Sequence, residues 1–200
     1  MKKSTSRERT VKLTILALLV ALLVVLGYVN IPQPAGLSIT FNMIPVAIAA
    51  IAMGMQGGAL IGGVFGLISF LQCFGLIGYS AMGAALVNVS PFLMFVQRFV
   101  SRVLVGVLVT VVYRLVRNRF STQVSCMVAG FSEAFFNTLF FMALLVLLFG
   151  HTEYMQQLMA GRGVLTYIVA SVGINAGVEM LVAAGVTGAV GVALKRAHLI

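Results

Sequence analysis

The chain contains no aspartate and no tryptophan, and charged residues make up only 8% of its 200 positions. Without Asp, a paired-aspartate protease buried in a membrane is excluded. The two histidines, His151 and His198, fall outside every long apolar run. Serine or metal-dependent intramembrane proteolysis therefore lacks its base or ligand. No G-x-x-x-x-G-K phosphate loop occurs, so the chain does not hydrolyse ATP by itself. Cys73 and Cys126 each stand alone in an apolar stretch, without metal-ligand spacing. The topology derived below puts them near opposite membrane faces, so no disulfide is expected. These absences leave no catalytic residue, metal or cofactor to assign, and a non-enzymatic role is expected.

What is present is apolar. Hydrophobic residues are 61% of the chain and its mean hydropathy is +1.12, far outside the range of a soluble domain. Runs long enough to cross a bilayer core of about 30 Å recur along nearly the whole sequence. They predict an all-α integral membrane protein, a single membrane domain over residues 1–200. The formal charge of +9 does not point to nucleic acid. All but three of the 13 basic residues lie before the first run, in the Arg114/Arg117/Arg119 cluster, or at Lys195 and Arg196. That is the placement of topology charges against anionic headgroups. The basic start followed by residues 13–26 is shaped like a signal peptide, but no small-x-small cleavage pattern follows before Pro32, and an uncleaved span is expected.

Six transmembrane helices are predicted, at about residues 11–28, 41–53, 57–74, 92–116, 124–149 and 164–194. An even count places both termini and the Arg114–Arg119 cluster together on the cytoplasmic side, so all three basic clusters agree. Residues 29–40, with Pro32 and Pro34, read as an extended loop. The second run is short for a full crossing. After the turn at Gly54-Met55-Gln56-Gly57-Gly58, glycine recurs at 58, 62 and 66, one helix face on which a neighbouring backbone can lie close. Residues 75–91 hold Gly75, Gly78, Gly83 and Asn88 without any charge. They read either as an interfacial loop with a helical turn or as non-helical backbone lining a cavity. Residues 151–163 read as a polar loop.

Charge inside a span is costly and marks a site or an internal pair. Arg98 and Arg102 share a face of the fourth run, Glu133 and Asn137 lie on the fifth, and Glu179 and Asn175 on the sixth. Because the last two spans run in opposite directions, the carboxylates fall at one depth and the amides one turn further out. Gln72 and Asn88 reach the same region from above, and Phe41 is placed to wall it. Two readings stay open. The groups form a network tying three helices together, or a pocket in which arginine holds an anion and amides read hydroxyl or amide groups.

The layout resembles the substrate-binding S components of energy-coupling-factor (ECF) vitamin transporters. The likeness rests on the basic start, A-L-L-V-A with Ala17 and Ala21, and the Pro-containing loop. It continues through I-T-F-N-M-I-P-V-A-I-A-A-I-A-M-G, the run with Gly62, Gly63 and Gly66, and R-F-V-S-R-V-L-V-G ahead of the basic loop. It covers essentially all six runs. It implies a six-helix bundle in the bacterial-type plasma membrane that captures a vitamin from outside. The implied partners are a transmembrane coupling subunit and two cytosolic ATPase subunits, with Ala17 and Ala21 as the contact to the former. The family's G-P-x-x-G-like stretch is replaced here by Gly54-Met55-Gln56-Gly57, which lacks the proline. F-N-M-I-P-V and the Arg98/Arg102 segment resemble the pantothenate-type branch most, with folate and riboflavin as other vitamins. Two further functions remain from the residues themselves: a proton-coupled secondary transporter using Glu133 or Glu179, and a non-transporting membrane scaffold.

Overall fold

A computed structural model of the chain describes residues 6–29, 31–32, 38–159, 161 and 163–200. Long helices dominate it, and among the described residues five are long and apolar enough to cross a membrane. Helix α1 (Ser6–Tyr28) begins about a turn before the expected apolar run. The hydroxyls of Thr10 and Thr14 donate to the carbonyls of Ser6 and Thr10 there, at 3.1 and 3.0 Å. The Pro-containing segment does more than run extended. Strand β1 (Ile31–Pro32) pairs antiparallel with β2 (Ser38–Ile39), so the chain doubles back; Asn30, Pro34 and Gly36 lie outside the described residues.

Helix α2 (Met43–Leu71) holds both the second and third expected spans. They are not one straight rod. Gly54 breaks the helix at φ 70°, ψ −154°, a conformation that suits a residue without Cβ. A Cβ on Gly57 would lie 2.9 Å from the Ala49 carbonyl oxygen. Along a straight helix residues 49 and 57 would be about 12 Å apart. The two arms, 43–53 and 55–71, therefore meet at an elbow.

The second arm of α2 packs against α4 (Pro91–Val116) as the glycine spacing predicts. Gly58 and Gly106 face each other so closely that a Cβ on either would overlap the other's carbonyl. A Cβ on Gly66 would lie 2.8 Å from the Phe99 Cα, and one on Gly62 would run into the Arg102 carbonyl. Backbones thus meet along three turns, which fixes how far apart the side chains flanking the seam can be. A second seam joins α5 (Thr122–Phe149) to α7 (Val164–Arg196), with Gly130 against the Ala183 carbonyl and Thr187. Serine hydroxyls start two of these helices: Ser90 accepts from the Leu93 N–H, with Pro91 in the first turn, and Ser121 accepts from the Val124 N–H.

Two expected loops contain short helices. Residues 75–91 include α3 (Ala81–Val87), reached through a 3₁₀ turn at Gln72–Phe74 and glycines with positive φ at 75 and 78. Residues 151–163 include α6 (Glu153–Met159). Both are amphipathic over too few residues to register as helices in the sequence: Met82 and Leu86 in α3, and Met155 and Met159 in α6, are buried at i, i+4 spacing. They join Met142, Leu145 and Phe149 of α5 in one apolar cluster. The cluster closes the end of the bundle opposite Arg114, Arg117 and Arg119.

Candidate functional site

Arg98 and Arg102 lie one turn apart on α4 and are 6% and 5% exposed. Neither is held by a carboxylate hydrogen bond. The Arg98 guanidinium donates from Nη1 to the Ser69 hydroxyl and from Nη2 to the Ser80 hydroxyl, both at 3.1 Å. Its plane lies over the Phe141 ring at 4.9 Å. Arg102 donates from Nη1 to the Ser101 hydroxyl at 3.2 Å and lies over the Phe65 and Phe141 rings at 4.9 and 5.1 Å. Ring faces attract a cation without consuming its N–H donors. The Nε of each arginine is buried with no acceptor among the described residues. Two positive charges are thereby anchored yet keep donor capacity.

The carboxylates behave differently from each other. Glu179 of α7 accepts the Thr40 backbone N–H at 3.0 Å, tying the start of α2 to α7. Glu133 of α5 is 1% exposed, and neither of its oxygens has a hydrogen-bond partner among the described residues. Arg102 lies within electrostatic reach of both glutamates. Asn137, one turn along α5 from Glu133, has an unpartnered carbonyl oxygen. Asn42 is fully buried with neither amide atom bonded. It occupies the N-cap of α2 with helical φ and ψ and makes no capping bond, so its amide is turned away from the helix it precedes. A buried polar group without a partner costs about 1–3 kcal/mol. Members of a brace would satisfy one another, whereas these groups leave hydrogen-bonding capacity that a ligand or ordered water could take up.

All of these groups except Glu133 line a cavity of about 90 Å³, room for several water molecules at ~10–15 Å³ each. Of the residues expected at the site, Gln72, Arg98, Arg102, Asn137, Asn175 and Glu179 line it. Gln72 donates to the Gly27 carbonyl at 2.9 Å and so also ties α1 to the cavity wall. Three expected residues stand elsewhere. Asn88 is exposed at the end of α3, donating to the Ala84 carbonyl, because the chain turns it outward as that helix closes. Phe41 packs into the apolar cluster of α1, α2 and α7. Glu133 is buried and does not line the cavity.

Sequence reasoning missed Thr40, Asn42, Ser69, Ser80 and the Phe65/Phe141 pair. One signal was legible. Ser69 falls one turn after Phe65 and close to Gly66, on the face that the glycine spacing turns toward α4. Ser80 and Asn42 had no such signal, since turns outside the regular helix periods bring them in.

The family model for the substrate-specific component of ECF transporters matches residues 11–191. A curated protein of Lactococcus lactis subsp. cremoris (strain MG1363), the pantothenic acid transporter PanT, is 28% identical over 206 aligned residues, covering 99% of this chain and 98% of its own.

Proposed function

The chain belongs to the substrate-specific components of ECF transporters, a multi-pass membrane protein and not an enzyme, and from that premise we propose that it captures a water-soluble vitamin, pantothenate, for import. The observation that carries the reading is the pair of ring-flanked arginines beside amides that have no protein partner. Pantothenate presents a carboxylate, an amide and hydroxyl groups. Arg98 receives the carboxylate, since its guanidinium is oriented by two serine hydroxyls and neutralised by neither. Asn42, Asn137 and Asn175 read the amide and hydroxyls, and Phe65, Phe141 and Met142 cover the apolar backbone of the ligand. The 28% identity to a pantothenic acid transporter supports the same substrate.

In this reading the Gly54 elbow divides α2 into two spans, giving six with both termini in the cytoplasm and the cavity facing outward. The paired strands β1 and β2 then lie above the cavity, anchored to it by the bond from Thr40 to Glu179. Ala17 and Ala21 are exposed on α1 beside Leu13, Leu18 and Val25. They form the close-approach face for a transmembrane coupling subunit, which works with two cytosolic ATPase subunits in the bacterial plasma membrane.

The test is calorimetry of the purified chain with pantothenate, folate and riboflavin, paired with uptake into liposomes. Saturable binding of pantothenate alone, with sustained uptake only when the coupling subunit and ATPases are added, is the expected result. Uptake by the isolated chain that an uncoupler abolishes would replace this reading with a proton-coupled transporter. Ala17→Trp and Ala21→Trp are expected to abolish uptake by the assembled transporter while leaving pantothenate affinity unchanged.

A further inference from the structure

On the opposite side of the α2–α4 seam from the cavity runs a shallow apolar groove, open along most of its length and lined by Leu60, Gly63, Leu67, Phe99 and Val103. Among the described residues its one polar lining residue is Gln56, at one end. From Gln56 to Leu67 the helix rises about 16 Å, close to half of a ~30 Å hydrocarbon core, the depth of one leaflet. The polar end is also the cationic end. Gln56 follows the Gly54 elbow by two residues, and the Arg114 guanidinium lies against that elbow, 3.2 Å from where a Gly54 Cβ would be. Arg117 stands one turn further on, its guanidinium over the Tyr113 ring at 5.9 Å.

We propose that this groove binds a single anionic phospholipid, its phosphate held by Arg114 and Gln56 and one acyl chain lying along Leu60, Gly63 and Leu67 against Phe99. The orientation used is that of the proposed function, with the Arg114 end at the cytoplasmic leaflet, where anionic headgroups attract arginine. An apolar slot that ends at a guanidinium and an amide matches the tail and the phosphate of one phospholipid along its length. A Cβ on Gly63 would touch the Phe99 ring at 3.5 Å. Gly63 is also the one glycine of the 62–63–66 set that does not meet the α4 backbone. Its missing side chain serves the groove and not the seam.

The experiment is native mass spectrometry of the full-length protein in detergent, with dioleoyl phosphatidylglycerol and dioleoyl phosphatidylcholine added in equal amounts. One phosphatidylglycerol is expected to stay bound at collision energies that strip phosphatidylcholine. Arg114→Gln is expected to lower that preference about five-fold, and Gly63→Leu to reduce retention of both lipids several-fold. Position 63 has ordinary contact distances and does not line the cavity, so pantothenate binding by Gly63→Leu serves as the folding control, and its loss in wild type would concern the vitamin reading alone. Equal retention of the two lipids by wild type overturns the proposal, as does unchanged retention by Gly63→Leu. So does a photo-cross-linking residue at position 60 that, in the assembled transporter, joins the coupling subunit instead of an acyl chain.

Discussion

On one face of α4, Arg98 and Arg102 point into a polar cavity; about 100° round the same helix, Phe99 and Val103 line an apolar groove. The arm of α2 opposite them divides in the same way. Phe65, Ser69 and the following Gln72 turn to the cavity, while Leu60, Gly63 and Leu67 turn to the groove. Between the faces lie Gly58, Gly62 and Gly66, on which the backbones meet. The comparison teaches that neither face is built independently. Helix separation is set by the glycine seam, and the two faces take their chemistry from whatever residue types flank it.

The seam is therefore where both faces break together. Gly62→Leu drives a side chain into the Arg102 carbonyl, and the facing element is backbone, which cannot swing aside as a long side chain does. Overpacking of this kind costs about 1–3 kcal/mol or more. The expected outcome is a protein that fails to elute as a monodisperse peak or melts well below wild type, with pantothenate and lipid binding lost in parallel. If one face survives and the other does not, the seam is not their common support.

Arg98→Ala separates the faces. A charge-assisted hydrogen bond contributes about 1.5–3 kcal/mol, so pantothenate affinity by calorimetry is expected to fall roughly 10- to 100-fold. Retention of phosphatidylglycerol should be unchanged. Arg98→Lys should recover only part of the loss, because an ammonium cannot span the Ser69 and Ser80 hydroxyls while presenting a flat donor pair to a carboxylate. Equal loss of a neutral analogue of pantothenate in which the carboxylate is amidated would remove the anion-binding role of this residue.

The two faces were unequally legible in the sequence. The seam was readable in advance, since glycine at every fourth position has one physical meaning in an apolar helix. Arg98, Arg102, Asn137, Asn175 and Glu179 were readable because a polar group inside a span is conspicuous and must be satisfied. Asn88 was misplaced for the complementary reason. It sits outside a long helix, where a polar residue carries no such constraint, and a short amphipathic turn directs it outward. The shorter helices α3 and α6 escaped notice because two buried residues at i, i+4 are too few to distinguish a helix from a loop. The groove was invisible: leucine, valine and phenylalanine in a span look alike whether they face lipid, a neighbour or a slot.

Asn42 gives the smallest expected effect and the sharpest distinction between a site and a brace. Its amide is fully buried, bonds to nothing among the described residues and makes no cap for its own helix. If it serves the ligand, Asn42→Ala should weaken pantothenate binding about five-fold, the size of one neutral hydrogen bond of ~1 kcal/mol. The same substitution should leave the melting temperature of the unliganded protein unchanged or slightly raised, since it removes a polar group whose desolvation the fold does not offset. A brace differs on both measurements. Removing one of its members lowers the melting temperature, because a former partner is left buried and unpaired, and affinity for a ligand elsewhere does not move. Thermal melts of the wild type and Asn42→Ala, each with and without pantothenate, report both quantities at once.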